Sequence, residues 1–245
     1  MSAVETPTPF AILFTGRTGS TFLTEALDSH PLVRSEYELF AAWRDKDYSG
    51  ADQVEAARRY FAEEAEGLAA VGFKTKLADV LDPDGFRELL REVEALIVVL
   101  RRRNLPKQVV SLFNAQRIHE RTGDWNLYEC GPESDDPLEI PTEDFVARLH
   151  RFERQDRELL AYVEELMRPT LTLFYEDLVR DATDTIALAF RFLGVDPVES
   201  TGLTVKATPD DLRSILSNVD ELEAELRGTR WESMLSAVAR AEVEA

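Results

Sequence analysis

The chain has 245 residues, enough to bury one sizeable core, and a single α/β domain spanning 1–245 with insertions is the simplest organisation. Acidic residues number 47 against 28 basic ones, a formal charge of −19, so the surface as a whole repels nucleic acid and anionic membranes, and any anion site must be locally basic. Cys130 is the only cysteine, which excludes an internal disulfide. No apolar run approaches the ~20 residues of a membrane span and MSAVETPTP lacks a signal-peptide pattern, so a cytoplasmic protein is expected.

Residues 1–9 are polar and contain proline, as a loose lead-in would. Phe10 to Phe14 is continuously apolar, as expected of a buried parallel strand. Gly16, Arg17, Thr18, Gly19, Ser20 and Thr21 then make a Gly-rich turn before a segment with helical spacing. A helix starting near Ser20 aims its N–H groups and positive dipole end into that turn, which favours a phosphate or sulfate. A strand-to-helix turn with no ligand fits these residues alone equally well. It is not a Walker A loop, which needs four residues between its glycines and a lysine after the second. Gly16 and Gly19 have Arg17 and Thr18 between them, and Ser20-Thr21 follow.

Leu32 to Phe40 is too irregular to assign. Val54 to Leu68 reads as an amphipathic helix with Tyr60, Phe61, Ala65 and Leu68 inward, and Val71 to Phe73 as a strand ending at Lys74-Thr75-Lys76. Asp82 and Pro83 are an N-cap and first helical residue for a helix through Val93. Ala95 to Leu100 is the strongest strand, and strand-helix-strand alternation implies a parallel sheet covered on both faces. Arg101, Arg102, Arg103 and Asn104 follow it, ahead of a helix from Leu105-Pro106 to about Arg121. Ligands collect at the carboxyl ends of such strands, so the arginines are expected near the first turn. A metal-dependent phosphotransferase would usually place a magnesium carboxylate here; arginines instead point to an anion held by direct cation contacts.

Residues 122–141, with Trp125 and Tyr128, form an irregular insertion, either a lid or a disordered stretch. Glu143 to Met167 is a long helix with Phe145, Leu149, Phe152 and Leu159 in its stripe, and Thr170 to Tyr175 a fourth strand. Thr183 to Leu193 is a helix closed by Gly194. The tail from Pro209 has a helical pattern broken at Asn218 and Gly228, and there is no internal repeat.

Gly16-Arg17-Thr18-Gly19-Ser20-Thr21 after the first strand, with Arg103 and Ser111 eight apart further on, resembles the phosphate motifs of sulfotransferases that use 3′-phosphoadenosine 5′-phosphosulfate (PAPS). Leu27-Asp28-Ser29-His30-Pro31, Tyr175-Glu176-Asp177-Leu178 and Phe192-Leu193-Gly194-Val195 extend the resemblance over about residues 10–235. It implies a three-layer P-loop-like α/β fold with a central, mostly parallel sheet, PAPS as co-substrate, 3′,5′-adenosine bisphosphate (PAP) as product, and no metal. Gly16 to Thr21 would then hold the 5′-phosphosulfate, Arg17 would stabilise the leaving group, Arg103 and Ser111 would bind the 3′-phosphate, and Lys206 would reach the nucleotide phosphates.

Cytosolic members take their base from a histidine ahead of the third strand, but none stands between His30 and His119. Other members carry a glutamate after the first helix, which Glu38-Leu39-Phe40 resembles, with Glu36 as its neighbour. His30, His119 and His150 are assigned to structure or solvent. The acceptor would be a hydroxyl of a carbohydrate, lipid or small metabolite, for which Trp43, Arg44, Lys74, Trp125 and Tyr128 are candidate lining residues. Core packing accounts for the aromatics equally well. A nucleotide-dependent kinase and a non-catalytic nucleotide-binding scaffold are the alternatives, and a homo-oligomer is left open.

Overall fold

Strands β1 (Thr8–Phe14), β2 (Val33–Glu36), β3 (Ala70–Thr75), β4 (Leu96–Arg101) and β5 (Thr170–Phe174) form one sheet in the order β2-β3-β1-β4-β5. Every neighbouring pair is parallel. The helices are α1 (Ser20–Asp28), α2 (Gly50–Glu63), α3 (Pro83–Glu92), α4 (Leu105–Thr122), α5 (Thr142–Leu166), α6 (Tyr175–Arg180), α7 (Ala182–Phe192) and α8 (Val219–Glu225). This computed structural model describes residues 7–41, 48–63, 67–125, 137–199, 208–209 and 211–236. Two compact units divide the chain: Met1–Arg101 with Arg157–Gly202, and Arg102–Asp156 with Leu203–Ala245.

The first unit is built on the sheet. Successive side chains of a strand face opposite ways, so β1 sends Phe10, Ile12 and Phe14 to one face and Ala11 and Leu13 to the other. Leu23 and Leu27 of α1, Leu178 of α6, and Ile186 and Phe190 of α7 cover the first face. Phe61 of α2, Phe86 and Leu89 of α3, and Leu159 and Tyr162 of α5 cover the second. Both faces are therefore dry, which is why β1 and β4 are apolar without alternation. At its centre Gly72 pairs with Phe10, and a Cβ there would lie 2.5 Å from the Phe10 ring, so only glycine lets β3 close on β1.

The second unit has its own core of Val109 and Val110 from α4, Phe145, Leu149 and Phe152 from α5, and Leu222, Leu226 and Trp231 from the tail. Asn218 binds Ile140 in both directions, Nδ2 donating to its carbonyl at 2.8 Å and Oδ1 accepting its N–H at 3.2 Å.

Several boundaries differ from the sequence reading. Thr8 and Pro9 belong to β1, because their partners Ala70 and Val71 in β3 continue the ladder. The unassigned stretch contains β2, an edge strand of four residues in which Val33 and the polar Ser35 face inward, too short and too polar to show a period. Helix α2 begins at Gly50 because Ser49 and Asp52 form a capping box, with Ser49 N–H donating to Asp52 Oδ2 at 2.9 Å and Asp52 N–H to Ser49 Oγ at 3.2 Å. Lys74 and Thr75 lie within β3, and Tyr175 starts α6 instead of ending β5. In the tail, the described helical segments are a short 3₁₀ turn at Leu212–Ser214 and α8. The last part of the expected insertion is ordered, with Leu138 bridged to Leu216 and Ile140 buried.

Candidate active site

The carboxyl ends of the five parallel strands lie along one edge of the first unit, and the Gly-rich turn leaves β1 there. Two of its residues are left-handed, Arg17 at φ 65° and Gly19 at φ 81°. A non-glycine residue in that region costs of order 1 kcal/mol, and such strain collects at ligand clamps. Gly19 is also the N-cap of α1 and supplies no side-chain cap, and the first turn of the helix has no acidic residue. Its positive end is thus left for an external anion. Thr18 is fully buried, its Oγ1 donating to the Thr15 carbonyl at 3.1 Å, which fixes the turn from inside. The Tyr175 ring packs 3.2 Å from where a Gly19 Cβ would stand, closing the turn from α6.

β3 delivers two lysines to the same place. Lys74 is 2% exposed, and its Nζ donates to Thr21 Oγ1 at 2.8 Å while lying over the rings of Phe14 and Tyr37. Burial pushes its ammonium down to about 8; Lys76 and Arg17 add to the drop, while Glu38 and Glu25 oppose it. Among the described residues no carboxylate pairs with it. A buried ammonium in that position is costly unless an anion arrives. The Lys76 Nζ is ion-paired with Glu38, lies 3.5 Å from Asp79 Oδ2, and faces the same Phe14 ring at 5.5 Å. In a chain of charge −19, Arg17, Lys74 and Lys76 thus form the local basic island that an anion site requires.

Both carboxylates singled out from the sequence line an open cleft of about 300 Å³ with Arg34, Tyr37, Leu39 and Tyr60. Glu36 is exposed, and its Oε1 accepts the Tyr37 N–H at 2.9 Å. Glu38 is more enclosed, with 26% of its side chain accessible, and its charge acts on Lys74. The two tyrosines are held by their hydroxyls, Tyr37 donating to Glu25 at 3.1 Å and Tyr60 to the Gly72 carbonyl at 2.9 Å. His30 is structural, as expected: Nδ1 accepts the Leu32 N–H at 3.0 Å, which leaves Nε2 to donate to the Asp196 carbonyl at 3.1 Å.

In the second unit Arg103 is exposed just before α4, whose N-cap Asn104 accepts the Lys107 N–H at 2.9 Å. Ser111 is buried two turns into the helix. Arg102, Arg103 and the buried Lys107 crowd the positive end of α4, whose first turn has no acidic residue. Cations are disfavoured at a helix N-terminus, and an anion bound there would offset that cost. Trp125 stacks on His119 at 4.4 Å. Lys206, Trp43, Arg44, Tyr128 and Cys130 lie outside the described residues.

Lys76 and Lys107 were missed from the sequence. The spacing of Lys74 and Lys76, two apart across a strand end, was the available signal for the first. A lysine in a first helical turn already crowded by arginines was the signal for the second.

No protein-family model matches the chain. It is 26% identical over 201 residues to nodulation protein H of Rhizobium tropici, covering 78% of each chain. Its structure aligns with the crystal structure of a sulfotransferase from Alicyclobacillus acidocaldarius at a TM-score of 0.50 and 17% identity, over 97% of this chain and 98% of that one. With mouse sulfotransferase SULT7A1 complexed with PAP the TM-score is 0.52 at 14% identity, over 94% and 88%. The chain has the sulfotransferase fold. In this sulfotransferase fold the sheet is wholly parallel, and the Gly-rich turn leaves its central strand at the edge where Lys74, Lys76 and Glu38 converge.

Proposed function

We propose that the protein is a metal-independent cytoplasmic O-sulfotransferase that moves a sulfuryl group from PAPS to a hydroxyl of a carbohydrate, lipid or small metabolite. The observation that carries this reading is the buried Lys74, which among the described residues has no carboxylate ion pair, beside a helix start without a side-chain cap in a strongly acidic chain. The same region fits a phosphosulfate: a strained turn, an open helix N-terminus and three cations of which one is desolvated. Resemblance to sulfotransferases in motif order and in fold supports it further.

When bound, PAPS supplies the activated sulfuryl group. The backbone N–H groups of Thr18 to Thr21, with the Ser20 and Thr21 hydroxyls, hold its 5′-phosphosulfate, and Arg17 and Lys74 neutralise charge on the departing phosphate oxygen. Glu38 takes the proton of the acceptor hydroxyl, preferred over Glu36 because it faces the cleft from within the basic group. Positioning and electrostatics then supply most of the acceleration, as in phosphoryl transfer. In the second unit, taken by itself, Arg103 and Ser111 are the 3′-phosphate ligands, with Lys206 as a further phosphate contact.

Calorimetric titration with PAP, run beside ATP with and without Mg²⁺, tests the reading. Tight metal-independent binding of PAP and weak binding of ATP is expected. Preference for ATP with Mg²⁺ would replace it by a kinase.

A further inference from the structure

Lys76 has two carboxylate partners of unequal kind. Asp79 is 1% exposed and rigidly held: its N–H donates to the Lys76 carbonyl at 2.9 Å, and its own carbonyl accepts Gln53 Nε2 at 2.9 Å. Gln53 is itself 1% exposed, and its Oε1 accepts the Leu81 N–H at 2.9 Å, so α2 clamps the turn that carries Asp79. Glu38, by contrast, lines the open cleft. The lysine stem is flexible, and 32% of its side chain is accessible. Its ammonium is therefore tethered inside by Asp79 and free to exchange its outer partner. It also lies over the Phe14 ring that it shares with Lys74, and Phe14 is the last residue before the anion-binding turn.

We propose that Lys76 is an ionic latch on Glu38, opened by the sulfuryl end of the donor. In this structure Lys76 Nζ donates to Glu38 Oε2, so that oxygen is engaged by the ammonium for as long as the ion pair is made. A negatively charged sulfuryl group beside Phe14 competes with Glu38 for the ammonium, and a partly exposed ion pair is weak enough to yield. Glu38, which already lines the cleft, is then uncoupled from Lys76 only when a donor is loaded, which makes donor-first addition a property of the site. The latch rests on the sulfotransferase reading above.

The test compares the affinities of PAPS and PAP, by calorimetry on the full chain, for wild type, Glu38→Gln, Lys76→Met and the double variant. PAP lacks the sulfuryl group and serves as the internal control. Glu38→Gln is expected to tighten PAPS by about threefold to fivefold and leave PAP within about twofold; Lys76→Met weakens PAPS about tenfold. In the Lys76→Met background the Glu38→Gln effect disappears, because Glu38 acts through Lys76. Tightening of both nucleotides to the same extent, or in both backgrounds, would show a general field effect and overturn the latch. Absence of any tightening overturns it as well. Failure of wild type to bind PAP overturns the sulfotransferase reading instead. Lys76→Gln, which keeps a polar side chain, replaces Lys76→Met if that variant does not fold.

Discussion

The basic residues that follow β4 and those gathered at the turn after β1 are assembled in opposite ways. Arg101, Arg102 and Arg103 are consecutive, held at a strand end and a helix start, and Arg103 remains exposed. Arg17, Lys74 and Lys76 come from two segments far apart in the chain, and the middle one is almost wholly buried. Of the consecutive cations Arg102 is buried, whereas Arg103 keeps its hydration and acts as a general attractor. Lys74, brought beside Arg17 and Lys76 by tertiary packing, is desolvated, feels both of their charges, and gains most from a bound anion.

The largest expected effect sharpens that contrast at Lys74. Its pKa of about 8 against the ordinary 10.5 corresponds to about 3 kcal/mol of unfavourable burial of the charged form. The folded pKa lies below the unfolded one, so between about pH 8 and 10.5 the unfolded chain binds more protons and this group's penalty is relieved as pH rises. Lys74→Met should therefore stabilise the protein at pH 7 by about 3 kcal/mol, with the gap to wild type closing through that window in urea titrations. A gap that does not change with pH would mean the ammonium is not desolvated.

The same variant should lose about a hundredfold in affinity for PAP, because a charge-assisted contact disappears from a buried site. Stability gained and binding lost in one substitution would mark Lys74 as held for function. Next in size, Gly19→Ala should destabilise by about 1–2 kcal/mol, since alanine is strained at φ 81° and its methyl group would press on Tyr175 at 3.2 Å. An unchanged urea midpoint would show that the turn is not left-handed there. Smallest is Arg103→Ala, expected to weaken PAP about tenfold and adenosine 5′-monophosphate hardly at all. Glu38→Ala should spare PAP affinity and lower turnover. Equal loss of PAP affinity in both would erase the division of roles.

Much of the fold is legible because its signals are local. The apolar runs of β1 and β4, the Asp82-Pro83 helix start and Gly194 after α7 each depend on residues within a few positions of one another. β2 was not, since an edge strand of Val33–Glu36 takes its structure from β3. The α2 start is also written locally, in the reciprocal capping residues Ser49 and Asp52.

The sequence by itself determined the Gly-rich turn, its position after a buried strand, the arginines after β4, and the resemblance these carry. That resemblance also put forward Glu38, with Glu36 as its neighbour, as the candidate base. Only the tertiary structure decided that Lys74 is buried with no carboxylate ion pair among the described residues, that Lys76 joins Glu38 to Asp79, and that Glu38 and not Glu36 stands in the basic group. The physical reason is that hydration is lost to neighbours from other strands and helices. A residue's charge is written in the chain, but the dielectric around that charge is set by residues many positions away.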